Sequence, residues 1–198
     1  RLAKEIVWII DPLDGTSDFI QKTGEFTVMI SLVKKHVPII GVIYWPVEDI
    51  LFISQLDNGA YRFSAQQWNK LSVSKISELK NCRVLGSRNH LSEDEKNLID
   101  LLNIEEFTSR GSSLKVAEIS SGTAELYFTT TNKIKQWDTC ASNCLIKEAG
   151  GKMTDMHGND LVYNTDDIHH QNGILVTSGI IHDKVIDRYT EFLRKNGE

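Results

Sequence analysis

Residues 6–10 read Ile-Val-Trp-Ile-Ile, and the next five read Asp-Pro-Leu-Asp-Gly. A continuous apolar run of this length, rich in β-branched residues and stopped by Pro and Gly, is the pattern of a buried core strand that ends in a turn. The carboxylates of Asp11 and Asp14 are then delivered to a strand end, where the backbone is firmly held, and the turn folds both toward one point. A strand buried on both faces needs layers above and below it. It starts so close to residue 1 that further chain is expected to precede it.

The pattern after this point divides the sequence. Strands are predicted over 26–33, 37–45, 50–54 and 60–63, with Lys34-Lys35-His36 and Asp57-Asn58-Gly59 as hairpin connections. After about residue 70 the character becomes mixed. A short strand over 83–86 precedes a helix that Ser92 and Glu95 open as a capping box and that runs to Leu102. A helix is predicted over 112–121, a strand over 124–128, and a helix over 139–149 that Gly150-Gly151 stops. A strand over 172–177 and a helix striped by Ile181, Val185, Tyr189 and Phe192 complete the chain. The expected class is α+β, with helices packed between sheets. Residues 1–70 are expected to form one lobe and residues 71–198 a second.

Composition narrows the partners. The 198 residues are 40% hydrophobic and 25% charged, values of a globular protein, and no apolar run approaches a membrane-spanning length. The net charge is -5, and no Lys/Arg block offers a footprint for a nucleic-acid polymer. An acidic chain can still hold a phosphorylated small molecule if metal ions or backbone N–H groups supply local positive charge. Cys82, Cys140 and Cys144 form no C-x-x-C pair and read as reduced structural thiols, which points to a cytoplasmic setting.

The chemistry concentrates in two segments. In Asp11-Pro12-Leu13-Asp14-Gly15-Thr16, the two carboxylates and the Leu13 carbonyl offer the oxygen ligands that Mg²⁺ takes. Gly15 and Thr16 offer N–H groups to a phosphate, and the Thr16 hydroxyl is placed to orient a water. The same residues also read as an ordinary turn. In Gln136-Trp137-Asp138-Thr139-Cys140-Ala141, Asp138 stands at a helix start, either as an N-cap or as a third metal carboxylate.

Two further segments read as phosphate or base contacts, or as a polar loop and a helix cap. In Ser87-Arg88-Asn89-His90, Arg88 suits a phosphate and the His90 ring a base. In Gly111-Ser112-Ser113-Leu114-Lys115, Ser112 and Lys115 suit a second phosphate. His169-His170 beside Asp166-Asp167 reads as a solvated loop, Trp45 and Trp68 as packing residues, and Asp18 as a continuation of the acidic run.

Asp-Pro-Leu-Asp-Gly-Thr, followed far downstream by Trp137-Asp138 and Glu148-Ala149-Gly150-Gly151, resembles the signature pair of the inositol-monophosphatase superfamily. The resemblance implies a layered αβαβα sandwich of the metal-dependent sugar-phosphatase type, with its N-terminal part outside this chain. It implies a lithium-sensitive phosphatase of small phosphomonoesters that uses two or three Mg²⁺ ions and is a monomer or homodimer. Asp11, Leu13, Asp14 and Asp138 would be metal ligands. Asp11, Asp14 and Thr16 would be catalytic, and Gly15 and Thr16 would hold phosphate.

Ser-Arg-x-His and Gly-Ser-Ser-x-Lys are similar to the 3'(2'),5'-bisphosphate nucleotidase branch. By that likeness Arg88, His90, Ser112, Lys115, Asp14 and Asp138 would meet adenosine 3',5'-bisphosphate and release AMP. A cytoplasmic enzyme, free or peripheral at the inner membrane, and a role in sulfate assimilation would follow. An inositol monophosphatase with the same metal chemistry is the alternative, and a non-catalytic nucleotide- or metal-binding fragment the third reading.

Two departures carry expectations. Many branch members have Pro-Arg where this chain has Phe128-Thr129, so Lys133 or Lys135 is expected to take that phosphate contact. The family also carries an upstream acidic Gly-Glu-Glu-type segment. A chain without it is expected to bind metal weakly and turn over little.

Overall fold

Two hairpin signals and the Gly150-Gly151 stop mark element ends that the structure reproduces. The computed structural model describes residues 1–88 and 91–197. A six-stranded antiparallel sheet runs in chain order: β1 (Ile6–Asp14), β2 (Thr27–Lys34), β3 (Val37–Trp45), β4 (Ile50–Gln55), β5 (Gly59–Ser64) and β6 (Gln67–Lys70). The short helix α1 (Thr16–Gln21) leaves β1. Lys35 and His36, both at positive φ, close the β2–β3 hairpin in the twist such tight turns require.

The second sheet has the order β10-β11-β9-β7-β8, from β7 (Arg83–Gly86), β8 (Glu106–Ser109), β9 (Leu126–Thr129), β10 (Lys152–Thr154) and β11 (Ile174–Thr177). β7 lies parallel to both β8 and β9, while β9, β11 and β10 pair antiparallel. Its helices are α2 (Glu93–Leu102), α3 (Leu114–Ser120), α4 (Gln136–Glu148) and α5 (His182–Asn196).

Three apolar seams order the layers. Met29, Ile43, Phe52 and Ala60 of the first sheet pack on Ala117 of α3 and Ala141, Leu145 and Ala149 of α4. The other sides of these helices, through Val116, Ile119 and Ile146, cover Leu85, Tyr127 and Val176 of the second sheet. The far face of that sheet, with Val84, Leu126 and Leu175, is closed by Leu98 and Leu102 of α2 and Val185 of α5. The order is therefore sheet, helices, sheet, helices, and α3 and α4 form the layer between the two sheets. Leu145 is fully buried there, and truncation to Ala would cost about 2–5 kcal/mol.

The reading of 6–10 as a strand buried on both sides is corrected. Val7 and Ile9 pack inward on Val33, Cys140 and Tyr163, but Ile6, Trp8 and Ile10 are 53%, 59% and 52% exposed on the outer face. An unbroken apolar run does not distinguish one-sided from two-sided cover. The other unforeseen elements, α1, β6, β8 and β10, are short. The helix expected from Ser112 begins at Leu114, because Ser112 takes φ 49°, outside the helical region.

Candidate active site

β1 pairs with β2 so that Asp11 opposes Met29 and Asp14 opposes Thr27. Three steps along β1 thus match two along β2, so β1 carries one extra residue. Side chains three apart on a regular strand point to opposite faces; the extra residue returns both to one. Their common face is the one that meets α4, where Asp138 stands in the first turn. Carboxylate oxygens of Asp11, Asp14 and Asp138 all lie within 4.8 Å of one another.

Each of the three is held. Asp11 Oδ1 accepts the Leu13 N–H at 3.0 Å. Asp14 Oδ2 accepts the Ser113 N–H at 2.5 Å and the Thr27 hydroxyl at 3.3 Å. Asp138 Oδ2 accepts the Lys135 N–H at 2.7 Å. Asp138 is therefore not the N-cap residue: Lys135 holds that position, and Asp138 reaches back to it from within the first turn. This leaves its other oxygen to the cluster. The Leu13 carbonyl accepts the Thr16 hydroxyl at 3.2 Å, which ties the turn to the start of α1.

The electrostatics are those of a cluster that wants a cation. Burial, then the charges of Asp14 and Asp11, pushes the Asp138 carboxyl up to about 6. Burial raises Asp11 as well, and burial with the Asp11 charge raises Asp14 against the opposing pull of Lys115. The donors are all oxygen and no His or Cys joins them, which is the ligand chemistry of a hard divalent ion such as Mg²⁺. The residues fit that ion.

The cluster opens on a cavity of about 660 Å³. Asp14, Gly15, Thr16, Ser112, Lys115 and Asp138, all singled out by sequence, line it. Gly15, at φ 85°, permits the close approach of two loops: a Cβ there would come 3.0 Å from both Glu25 O and Ser112 Cβ. Lys115 is buried, donates to Ser112 O at 2.8 Å, and sits 4.9 Å from the Tyr127 ring centroid. Burial lowers its pKa, opposed by Asp14, Asp18 and Glu25. The lining also includes Ser92, Asp94, Glu95 and Thr129–Thr131, which bring carboxylates and hydroxyls.

Other expectations resolve as follows. Arg88 lies outside the lining; Nη2 donates to Glu25 at 3.1 Å. His90 lies outside the described residues. Lys133 lines the cavity, whereas Lys135 points its ammonium at the Trp137 ring, 5.2 Å from the centroid. His170 is not solvated: it is buried with Nε2 2.7 Å from Thr139 Oγ1, while His169 bonds Asp167. Asp18 is buried and accepts the Thr23 hydroxyl at 2.9 Å. Trp45 packs and donates to Gly24 O at 2.7 Å, but Trp68 is 56% exposed, against Phe63. Cys82, Cys140 and Cys144 are buried free thiols. Among the described residues, no helix is long and apolar enough to cross a membrane.

Residues 1–191 match the profile of the inositol monophosphatase family. This chain belongs to that family. It is 36% identical over 159 residues to the 3'(2'),5'-bisphosphate nucleotidase CysQ of Buchnera aphidicola subsp. Acyrthosiphon pisum, covering 79% of this chain and 58% of that protein. Against the CysQ nucleotidase of Escherichia coli K12 it is 36% identical over 161 residues, covering 79% and 61%. The chain thus spans about six-tenths of the length of these curated relatives. Inositol monophosphatase from Anabaena (Nostoc) sp. PCC 7120 shares the fold with a TM-score of 0.81 at 30% identity, over 95% of this chain and 73% of that one. CysQ from Bacteroides thetaiotaomicron gives 0.78 at 30% identity, over 89% and 71%. The inositol monophosphatase fold therefore accounts for the layers described above.

Sequence reasoning missed Thr27 and Glu25, and Ser113 stood in the Gly-Ser-Ser-x-Lys segment with no role assigned to it; all three support this family's motif residues. No motif marks Thr27 or Glu25, because their roles arise only when β2 and the loop before α3 meet β1.

Proposed function

We propose that this chain is the core of a Mg²⁺-dependent phosphomonoesterase that removes the 3'-phosphate of adenosine 3',5'-bisphosphate. The observation that carries the reading is the convergence of Asp11, Asp14 and Asp138 within 4.8 Å at the edge of a 660 Å³ cavity that also holds Lys115 and Lys133. The named CysQ relatives support the nucleotide as substrate.

Bound Mg²⁺ would neutralise phosphate charge and make water a better nucleophile. The protein's own part is positioning. Asp11, Asp14, Asp138 and the Leu13 carbonyl hold the ions. The first N–H groups of α1, at Gly15 and Thr16, have no carbonyl to bond within the helix and are offered to the reacting phosphate. The Thr16 hydroxyl, anchored on Leu13 O, orients the water. Ser112 and Lys115 take the second phosphate, and Lys133 supplies the further cation expected from the Phe128-Thr129 departure. The wall at Asp94 and Glu95 accepts hydrogen bonds and repels phosphate, so it suits the nucleoside end.

Phosphate release from adenosine 3',5'-bisphosphate and inositol 1-phosphate, compared side by side with Mg²⁺ in the full-length natural protein, tests the reading. A higher kcat/KM for the nucleotide supports it. A higher value for inositol 1-phosphate keeps the metal site and overturns the substrate.

A further inference from the structure

Glu25 belongs to none of the motifs above. It lies in the connection between α1 and β2, and its side chain is 12% exposed. Its carboxylate takes three donors from two distant segments. Oε2 accepts the Gly111 N–H at 2.7 Å and Arg88 Nη2 at 3.1 Å, and Oε1 accepts Arg110 Nη1 at 3.0 Å. Its main chain is equally engaged: a Cβ on Gly111 would come 2.7 Å from Glu25 O. Glu25 therefore sits where the segment after β1, the loop after β7 and the loop before α3 meet. Those segments supply Gly15, Ser87 and Ser112 to the cavity lining.

The charges around it are unequal. Arg110 has a second carboxylate partner in Glu118 and stacks over Trp45. Arg88 bonds Glu25 through Nη2 alone among the described residues, and its side chain is 39% exposed. A guanidinium carries five donors in one rigid plane, so Arg88 can keep Glu25 on one edge and offer the other to a phosphate. Glu25 also stays compensated by Arg110 and Gly111 while it does so. Lys115 lies within the field of the same carboxylate.

We infer that Glu25 is a positioning residue for recognition of the second, non-reacting phosphate: it orients Arg88, next to Ser87 at the rim of the cavity, and fixes the Gly111–Lys115 loop, whose Ser112 and Lys115 line it. The inference rests on the bisphosphate reading above. Its physical content is preorganisation: an arginine already fixed by a carboxylate loses less side-chain freedom on meeting an anion.

The test is steady-state kinetics of the full-length protein with Mg²⁺ on adenosine 3',5'-bisphosphate and adenosine 3'-monophosphate. The two share the reacting phosphate and differ in the second one. Wild type should show the lower KM for the bisphosphate. Glu25→Gln should raise that KM about tenfold, the scale of one charge-assisted hydrogen bond, with kcat within about threefold and the monophosphate KM within about twofold. Glu25→Asp should recover part of the loss.

Arg88→Ala, on an exposed side chain, should reproduce the bisphosphate-specific rise, and Glu25→Gln should add less than about threefold on top of it. Equal rises on both substrates overturn the inference, as does an unchanged bisphosphate KM in Glu25→Gln or Arg88→Ala while wild type keeps its preference. A wild type without that preference overturns the substrate reading, and this inference with it.

Discussion

Thr27 and Ser113 place their hydroxyl oxygens 2.7 Å apart, and both residues donate to Asp14 Oδ2, Thr27 through its hydroxyl and Ser113 through its main-chain N–H. One residue is on β2 of the first sheet, and the other precedes α3 in the layer between sheets. The orientation of a carboxylate in the cluster is thus set by two elements that meet only in the folded chain. Thr27→Val keeps the shape and removes the hydroxyl. It should weaken Mg²⁺ affinity about 10–100-fold, read from the Mg²⁺ dependence of activity, with the fold retained in circular dichroism. Unchanged affinity would mean that the Ser113 N–H alone fixes Asp14.

Asp11→Asn separates charge from shape. The amide oxygen still accepts the Leu13 N–H, so the turn survives, while one of three mutually repelling carboxylates becomes neutral. Without metal, the melting temperature should stay level or rise. The increase that Mg²⁺ produces in wild type should vanish, and activity should fall on the order of 10²–10³-fold or more. A full Mg²⁺-induced increase in the variant would remove Asp11 from the ligand set.

Gly111→Ala probes the meeting of the loops. The new Cβ would stand 2.7 Å from both Asp18 Oδ2 and Glu25 O. Relief requires the loop before α3 to withdraw from α1, taking Ser113 from Asp14. Stability should drop about 1–3 kcal/mol in urea unfolding, and activity should fall by a larger factor than stability alone explains. Wild-type kinetics in this variant would show that the loop position is not critical.

Buried histidine gives a pH dependence with a definite sign. His182 Nδ1 and Nε2 lie 2.9 and 3.0 Å from the hydroxyls of Thr177 and Thr154, and burial pushes its pKa down to about 4. An unfolded histidine protonates near 6.5. Between these values the unfolded chain binds a proton that the folded one does not, so stability is complete above about 6.5 and falls as pH drops toward 4. At pH 5 the loss from His182 is about 2 kcal/mol. Asp138, raised to about 6, slopes the other way in the metal-free protein, so the useful quantity is the difference between wild type and His182→Gln. The variant should lose less stability between pH 7.5 and 5; identical losses would exclude His182.

What the sequence made legible follows from how local each signal is. The β2–β3 and β4–β5 hairpins, the capping box at Ser92 and the stop after α4 are written in adjacent residues, and they appear where expected. Asp11, Asp14 and Asp138 were nameable because two specific motifs bracket them. Their mutual distance was not, since it depends on how β1 docks against α4. Arg88 was read as a phosphate contact, but its bond to Glu25, sixty-three positions away, has no local signal. His170 was read as solvated because its neighbours are polar; its burial against Thr139 comes from a loop returning over α4. The exposure of Trp8 was equally invisible, since an apolar run carries no record of which face is covered.

The additional residue in β1 makes the distance between Asp11 and Asp14 a matter of parity. A strand with an even offset would need no irregularity, and one with an odd offset works only with it. Deleting either Pro12 or Leu13 would leave the two aspartates two apart, an even offset that keeps both carboxylates on the inner face of a regular strand. Ironing out the irregularity while keeping both residues would instead send one carboxylate to the outer face beside Trp8 and Ile10.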